Sequence, residues 1–324
     1  MAALTEFALI DRFFRRPART AVLGVGDDAA LLAPTPGWEL AVAVDMLVAS
    51  RHFFADVDPE SLGHKALAVN LSDMAAMGAR PRWALLAGAL PDANADWLAA
   101  FARGFYALAD AHRVELIGGD TTKGPLNLCV TILGEVPAGQ ALRRSGAMLG
   151  DDIWVSGPLG DAALALAHQL GRVELDADEW TRCRSVLLRP MPRVALGERL
   201  RGVASSAIDI SDGLIGDLGH ILEASAAGAI VEMTQVPRSA ALARRLRSHA
   251  SELALSCLLA GGDDYELCFT AASARVGDVR MIGDVLGLNM QRIGVIVAQP
   301  GLIVRNETGE PMTKLPHGFD HFAS

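Results

Sequence analysis

Hydrophobic and polar positions follow two different periods along the chain, a pattern that predicts a mixed α/β protein. Apolar residues at helical spacing predict a helix over 7–14, and a short apolar run predicts a buried strand over 39–45. Asp58 and Pro59 then provide an N-cap and a first-turn proline for a helix that runs to about Met77. The same pattern predicts a strand over 82–90, a helix over 94–112, a short strand over 114–117 that opens into a Gly-Gly-Asp turn at 118–120, and a strand over 126–136.

The pattern restarts after Gly150, which predicts a second domain. A strand over 152–156 opens this half, and a strand over 205–210 ends in an acidic turn before another helix. A chain of 324 residues also exceeds the usual size of one hydrophobic core. We therefore predict two α/β domains, 1–148 and 149–324, with strands too unevenly spaced for a regular βαβ repeat.

Charge and segment composition exclude several classes of protein. The formal net charge is −9, which argues against electrostatic binding to nucleic acid or to an anionic membrane. The first residues lack the order of a signal peptide, and no apolar run reaches about 18 residues without a charge. We expect a cytoplasmic protein with neither nucleic acid nor membrane as a partner.

The four cysteines are widely separated and form no CxxC pair. This spacing favours buried, reduced thiols over disulfides or a zinc site.

Aspartates are the most distinctive candidate for chemistry. Nine lie in or beside glycine turns, at strand ends or on an apolar helix: Asp27, Asp28, Asp45, Asp73, Asp120, Asp209, Asp212, Asp263 and Asp264. A single aspartate is usually a turn former or an N-cap, and Asp217 fits that interpretation. Asp73 fits it less well, because helical spacing places it beside Asn70 on a largely apolar helix. Converging carboxylates would repel by about 4 kcal/mol per pair at 4 Å, so they would require cations, and oxygen ligands favour magnesium.

Glycines beside these aspartates suit close approach of the backbone to a polyphosphate. The clearest case is the segment 209–214, where a strand ends and a helix begins around Ser211. The chain has neither a GxxxxGK[ST] loop nor the glycine-rich loop of protein kinases with its HRD and DFG partners. A phosphotransferase with this sequence would belong to neither common class.

Seven motifs, taken in order, resemble those of the thiamine-monophosphate kinase family. They are Val25-Gly-Asp-Asp-Ala29, His52-Phe53, the long segment from Lys65 to Ala79, Leu116-Ile-Gly-Gly-Asp-Thr-Thr122, Arg144-Ser-Gly-Ala147, Ala207-Ile-Asp-Ile-Ser-Asp-Gly-Leu214 and Gly261-Gly-Asp-Asp-Tyr-Glu-Leu267. The resemblance covers almost the whole chain.

The resemblance implies a two-domain fold shared with aminoimidazole-ribonucleotide synthetase, in which the N-terminal domain pairs with a second subunit to form a homodimer. It implies direct in-line transfer of phosphate from ATP to thiamine monophosphate, assisted by several Mg²⁺ ions. The positions that match magnesium ligands are Asp28, Asp45, Asp73, Asp120, Asp209 and Asp212. The positions that match ATP contacts are Gly119, Asp120, Arg144 and Ser211. The positions that match thiamine-phosphate contacts are His52, Asp263 and Phe319. No acid or base residue is assigned, because the accepting phosphate is already ionised near neutral pH.

Two departures from the family pattern touch the implied site. The family usually has hydroxyl residues before the strand-end aspartate, where this chain has Ala43 and Val44. The family's Gly-Gly-Glu-Asp is here Gly-Gly-Asp-Asp, so Asp263 is one methylene shorter.

Two other functions remain open at this point. One is another ATP-dependent synthetase of the same superfamily, although a selenophosphate synthetase would carry a reactive Cys or selenocysteine near its N-terminus, and this chain has none before Cys129. The other is a non-catalytic nucleotide-binding protein, against which the retention of every acidic position argues.

Overall fold

The computed structural model describes residues 5–316, and the chain forms two compact units. The first contains the chain up to Met74 together with Ala79–Gly139, and the second contains Ala75–Gly78 and the chain from Gln140 onward. Both units combine helices with a mixed sheet, so the predicted α/β class is confirmed. The domain boundary predicted at 148/149 stays a prediction.

Among the residues described, the first unit contains a four-stranded sheet and three helices. Its elements are α1 (Glu6–Phe13), β1 (Trp38–Val48), α2 (Pro59–Ala76), β2 (Arg80–Leu90), α3 (Ala95–His112), β3 (Glu115–Lys123) and β4 (Asn127–Pro137). The strand order is β1-β4-β2-β3, antiparallel except for the parallel pair β2 and β3. The predicted N-cap of α2 is present, because the Asp58 carboxylate accepts the Ser61 amide at 2.9 Å.

Helices α2 and α3 touch backbone to backbone where two glycines face each other. A Cβ on Gly63 would lie 2.0 Å from the carbonyl oxygen of Phe101, and one on Gly104 would lie 1.8 Å from that of Glu60. Only hydrogen fits at these positions, so the close approach of α2 and α3 depends on both glycines.

The segment Gly118–Asp120 was predicted to be a turn, and that prediction is wrong. These residues continue β3, and a register shift opposite Ala84 and Leu85 absorbs one extra residue as a bulge. Gly119 has φ of +151° and packs against Leu86, whose carbonyl oxygen would be 1.8 Å from a Cβ. Glycine is required here by the strand pairing, not by a turn.

The second unit contains a six-stranded sheet in the order β10-β7-β9-β5-β8-β6. Its elements are β5 (Asp152–Val155), α4 (Asp161–Gln169), α5 (Ala177–Leu188), α6 (Val194–Leu200), β6 (Ser206–Asp209), α7 (Leu214–Ser225), β7 (Gly228–Glu232), α8 (Ala240–Leu246), α9 (Ser251–Ala260), β8 (Leu267–Ala271), α10 (Val276–Leu286), β9 (Gln291–Val297) and β10 (Gly301–Arg305). Only β7 and β10 pair in parallel. One side of the sheet packs on a core that includes Ile153, Val155 and Ile208.

Buried ion pairs join distant segments of this unit. Glu179 in α5 is 2% exposed and accepts hydrogen bonds from Arg244 and from Arg245, the latter at 2.8 Å. Glu266 forms a similar buried pair with Arg193 just before α6. Each pair leaves neither carboxylate oxygen without a donor, which burial of a charge requires.

All four cysteines are free thiols, as predicted, but Cys129 on β4 is only partly buried whereas the other three are buried. Within residues 5–316, no helix is both long and apolar enough to cross a bilayer.

Candidate functional site

The acidic turn after β6 is held by a buried carboxylate that the sequence did not single out as functional. Asp209 is the last residue of β6 and is 6% exposed, whereas Asp212 is exposed. Asp217, in the first turn of α7, accepts the amides of Ser211 and Asp212 at 3.0 and 3.1 Å. The interpretation of Asp217 as a turn former is therefore confirmed, and the turn it shapes carries three of the predicted site residues.

Asp217 also experiences the charge of this turn. Burial first, and then the charge of Asp209, raise its pKa to about 7, although the two amides lower it. The high pKa therefore reports first that this carboxyl group is enclosed, and second that Asp209 and Asp212 lie close to it.

A second predicted segment lies against this turn. In the loop between α9 and β8, the Asp263 amide donates to the Ser211 carbonyl at 2.9 Å, and the Tyr265 amide donates to the Ile210 carbonyl at 2.8 Å. Gly262 packs so closely that a Cβ would lie 2.4 Å from the Ser211 carbonyl. The structure thus brings Asp209, Ser211, Asp212 and Asp263 together.

The backbone of this loop is strained at two residues that are not glycine. Asp263 has φ of +69° and Tyr265 has φ of +50°, and the Tyr265 hydroxyl donates to the Asp263 carboxylate at 3.1 Å. Such conformations persist only where the surroundings enforce them, and they cluster at functional sites. The next carboxylate, Asp264, is buried and accepts the Gly160 amide with both oxygens, and burial raises its pKa well above the usual value. Asp264 therefore anchors the loop.

Arg144 lies on an exposed loop of the same unit. The carbonyl of its neighbour Arg143 accepts the Ala207 amide of β6 at 2.9 Å, and its own carbonyl accepts from the Ser225 hydroxyl at 3.3 Å. Its guanidinium pairs with no carboxylate in the described range 5–316. The cation is therefore available to a phosphate.

In the first unit, a cavity of about 960 Å³ collects several predicted residues. Its lining includes Asp28, Gly119 and Asp120, together with Arg15. The Arg15 guanidinium lies against the loop that carries Asp28, since a Cβ on Gly26 would be 2.3 Å from its nitrogen. No sequence signal separated Arg15 from the adjacent Arg16, so its position in the cavity was missed.

Asp45 and Asp120 lie on opposite edges of the four-stranded sheet. Asp45 pairs with Val130, Val130 with Leu86, and Leu86 with Gly119, so three strand spacings separate β1 from β3. At about 4.8 Å each, this places the two aspartates about 14 Å apart. They cannot bind the same magnesium ion within one chain, whose ligands lie at about 2 Å.

Asp73 is half-buried on α2, with Asn70 one turn before it on the same face. Asn70 is fully buried, and its Nδ2 donates to the Ala66 carbonyl at 3.1 Å, but its Oδ1 meets no donor among the residues described. A cation or a metal-bound water is one of the few groups that satisfies an orphan acceptor beside a carboxylate. The side chains at this point fit a hard metal ion.

Among residues 5–316, no three His, Cys, Asp or Glu side chains are grouped closely enough to hold a metal by themselves.

The remaining predicted contacts are His52 and Phe319. His52 is half-buried in the turn after β1, where its Nδ1 accepts the Val48 amide at 3.0 Å. This hydrogen bond fixes the ring orientation and directs any other contact to Nε2. Phe319 lies outside the described residues.

Of the two departures from the family pattern, the one at Val44 is simpler to interpret. Successive residues of β1 point to opposite faces of the sheet, so Val44 lies on the face opposite to Asp45 and is 60% exposed. A hydroxyl at position 44 would not stand beside the Asp45 carboxylate of the same chain.

Comparison with known proteins gives the family of the chain. A family model described as AIR synthase related protein, N-terminal domain, matches residues 26–136. Thiamine-monophosphate kinase of Escherichia coli K12 is 45% identical over 326 residues, which span 99% of each chain. The chain belongs to the thiamine-monophosphate kinase family.

Solved structures in the thiamine-monophosphate kinase family match the fold over nearly the full length. The enzyme from Stenotrophomonas maltophilia K279a is 48% identical, with a TM-score of 0.85 over 96% of this chain and 98% of that one. A structure of AaThiL complexed with AMPPCP and TMP is 28% identical, with a TM-score of 0.78 over 98% and 97% of the two chains. The family and fold that the motifs implied are confirmed.

Proposed function

We propose that this protein transfers the γ-phosphoryl group of ATP to thiamine monophosphate and so forms thiamine diphosphate. The observation that carries the proposal is the hydrogen-bonded pair of segments that brings Asp209, Ser211, Asp212 and Asp263 together in one unit. Full-length similarity to thiamine-monophosphate kinases supports the choice of substrates.

The polyphosphate would be bound by cations and backbone amides of this chain. Arg144 offers a guanidinium that pairs with no carboxylate among residues 5–316, and Ser211 offers a hydroxyl on a turn that Asp217 holds in place. In the first unit, Gly119 lets the backbone of β3 line the cavity without a side chain, next to Asp120. Arg15 is a further cation in that cavity and can contact a phosphate oxygen there.

The residues proposed to hold magnesium are Asp28, Asp45, Asp73, Asp120, Asp209 and Asp212. Bound Mg²⁺ would reduce the repulsion between the two anionic substrates and stabilise charge on the transferring oxygens. The separation of about 14 Å between β1 and β3 supports more than one ion per chain, since a single ion cannot reach both edges. Asn70 Oδ1 provides a neutral oxygen beside Asp73.

In this proposal the protein acts mainly by aligning the two substrates. The accepting phosphate is ionised near neutral pH, so in-line attack requires alignment and charge stabilisation but no strong base. Three groups are proposed to orient thiamine monophosphate. They are Asp263, the Nε2 of His52, and Phe319, which lies outside the described residues. The strained φ of Asp263 supports this role, because the loop fixes the direction of a carboxylate that is shorter than the family's glutamate.

We also propose that the protein acts as a homodimer paired through the first unit. Strand β1 is an edge of its sheet, and its outward residues Leu40, Val42, Val44 and Met46 are 44–61% exposed. An apolar edge strand of eleven residues invites association unless another surface covers it. A second copy of the same strand is the partner that the family resemblance implies.

An acceptor comparison tests the proposed function. Purified protein is incubated with ATP and Mg²⁺ and with either thiamine monophosphate or thiamine, and products are separated by chromatography. We expect thiamine diphosphate from thiamine monophosphate and no phosphorylated product from thiamine. Folded protein that consumes ATP equally with both acceptors, or with neither, contradicts the proposal.

A further inference from the structure

A second cavity, of about 360 Å³, lies entirely within the second unit and shares no residue with the proposed site. One face of α10 forms one wall, and the loop after α10 with the start of β9 forms another. Trp154 of β5 also lines the cavity. Its volume lies within the usual range for a small-molecule site.

Trp154 carries a buried polar group without a partner. The residue is 3% exposed and stacks on Phe269 at 6.5 Å between ring centres, so its orientation is fixed by the sheet. Its Nε1 donates to no acceptor within the described part of the chain. This nitrogen exposes almost no surface, so Trp154 contributes its ring to the lining, and its indole N–H can report on what the cavity holds.

The charged groups of the lining favour an anionic ligand. Arg280 of α10 and Arg292 of β9 both line the cavity, against one carboxylate, Asp284. Arg292 donates through Nε to the buried Asp152 at 2.6 Å, which fixes the guanidinium and leaves its terminal nitrogens to other acceptors. Arg280 forms no ion pair among residues 5–316, and Asn289 and Gln291 add amide groups that can donate.

The pairing of β5 with β9 is irregular next to this cavity. The register between β5 and β9 shifts between Ile153 and Trp154, directly beside the lining residues Trp154 and Arg292. Such bulges redirect side chains and are over-represented next to binding sites.

We infer that this cavity binds a small oxyanion, through a phosphate or carboxylate group that pairs with Arg280 and Arg292 beside the ring of Trp154. The site is separate from the residues proposed to bind ATP and thiamine monophosphate, so its occupation does not depend on the proposed function.

Indole N–H resonances of the full-length, ¹⁵N-labelled protein test the inference directly. The chain has five tryptophans, and Trp154→Phe identifies the Trp154 signal while retaining a ring that stacks on Phe269. Sodium phosphate, sodium citrate and sodium chloride are titrated separately at matched ionic strength. We expect a saturable shift of the Trp154 signal with phosphate, citrate or both, and none with chloride, and the anion that saturates gives the chemical class.

Variants of the full chain show whether the shift arises in this cavity. Arg280→Ala should raise the half-saturating concentration at least tenfold, whereas Arg247→Ala, which removes an exposed arginine outside the cavity, should leave it unchanged. The inference is overturned if the Trp154 signal moves no further with either oxyanion than with chloride, as a water-filled cavity predicts. It is also overturned if Arg280→Ala titrates like the natural sequence.

Discussion

Individual carboxylates of this protein differ in how far the fold already compensates their charge. Glu179 is matched by two guanidinium groups, whereas Asp217 lies among other carboxylates and has a pKa near 7. A compensated carboxylate contributes to folding, and an uncompensated cluster depends on a ligand. Glu179 is thus balanced by cations of the fold itself, whereas Asp217 is held by the amides of Ser211 and Asp212 and shapes the turn that carries proposed magnesium ligands.

Asp73→Asn tests the metal assignment at a single residue. The change keeps the size of the side chain and removes its charge, so the fold should survive while turnover falls by about 100-fold or more. Steady-state kinetics at saturating Mg²⁺, together with circular dichroism, measure both effects. Asp178→Asn, on the exposed first turn of α5, is the control and should retain full activity. Near-normal turnover of the Asp73 variant would show that this carboxylate binds no essential metal.

Glu179→Gln tests the buried ion pairs through their pH dependence. Hydrogen bonds from Arg245 lower the pKa of Glu179 to about 2, from an ordinary value of 4.5. A lowered carboxylate pKa stabilises the fold above pH 4.5, and this contribution is lost as the pH falls towards 2. The variant should lose about 3 kcal/mol of unfolding free energy at pH 7 and about half as much at pH 3, measured by urea denaturation. Glu252→Gln, an exposed change in α9, should show no such dependence, and an equal loss for Glu179→Gln at both pH values would contradict the assignment.

Site residues that lie within local motifs could be predicted from the sequence. The segment Asp209–Leu214 was predicted as a strand end followed by a helix, and the structure has it so. Arg15 and Trp154 could not be found in this way, because their neighbours in the cavities come from distant parts of the chain. Asn70 was noted only for its position beside Asp73, since an orphan acceptor is visible only once its surroundings are folded.

At the scale of elements, the contact between α2 and α3 depends on the absence of side chains. Gly63→Ala should destabilise the protein by about 1–3 kcal/mol, because the new methyl group meets the Phe101 carbonyl and forces the helices apart. Gly219→Ala in α7 is the matched control, since nothing lies within 4 Å of the added Cβ. Alanine also favours a helix over glycine, so the control should be neutral or slightly stabilising. Thermal unfolding compares the two, and equal stability of both variants would contradict the packing.

Helices and strands with a regular spacing of hydrophobic residues were predicted well. How the strands pair with one another could not be predicted. The limits of β1, α2 and α3 follow from periodicity and caps within a few residues. The segment Gly118–Asp120 was mistaken for a turn because glycine pairs favour turns locally. The segment extends β3 because it pairs with β2, about thirty residues earlier. Such non-local contacts cannot be recognised from a short segment of sequence.

At the scale of the whole molecule, the exposed face of β1 predicts a dimer. Val42→Lys places a charge on that face, away from the proposed ligands, and should shift the protein from two chains to one in sedimentation experiments. Val285→Lys alters a valine of equal exposure, 61%, on α10 and should leave the assembly unchanged. A natural protein that sediments as a single chain would remove the basis for pairing through β1.

The central claim is transfer of the terminal phosphate of ATP to thiamine monophosphate. The most direct test follows γ-labelled ATP with Mg²⁺ and thiamine monophosphate in the presence of the purified protein. The account predicts that the label appears in the terminal phosphate of thiamine diphosphate, in equal amount to the ADP released. Label recovered as inorganic phosphate, or retained in ATP by folded protein, would contradict it.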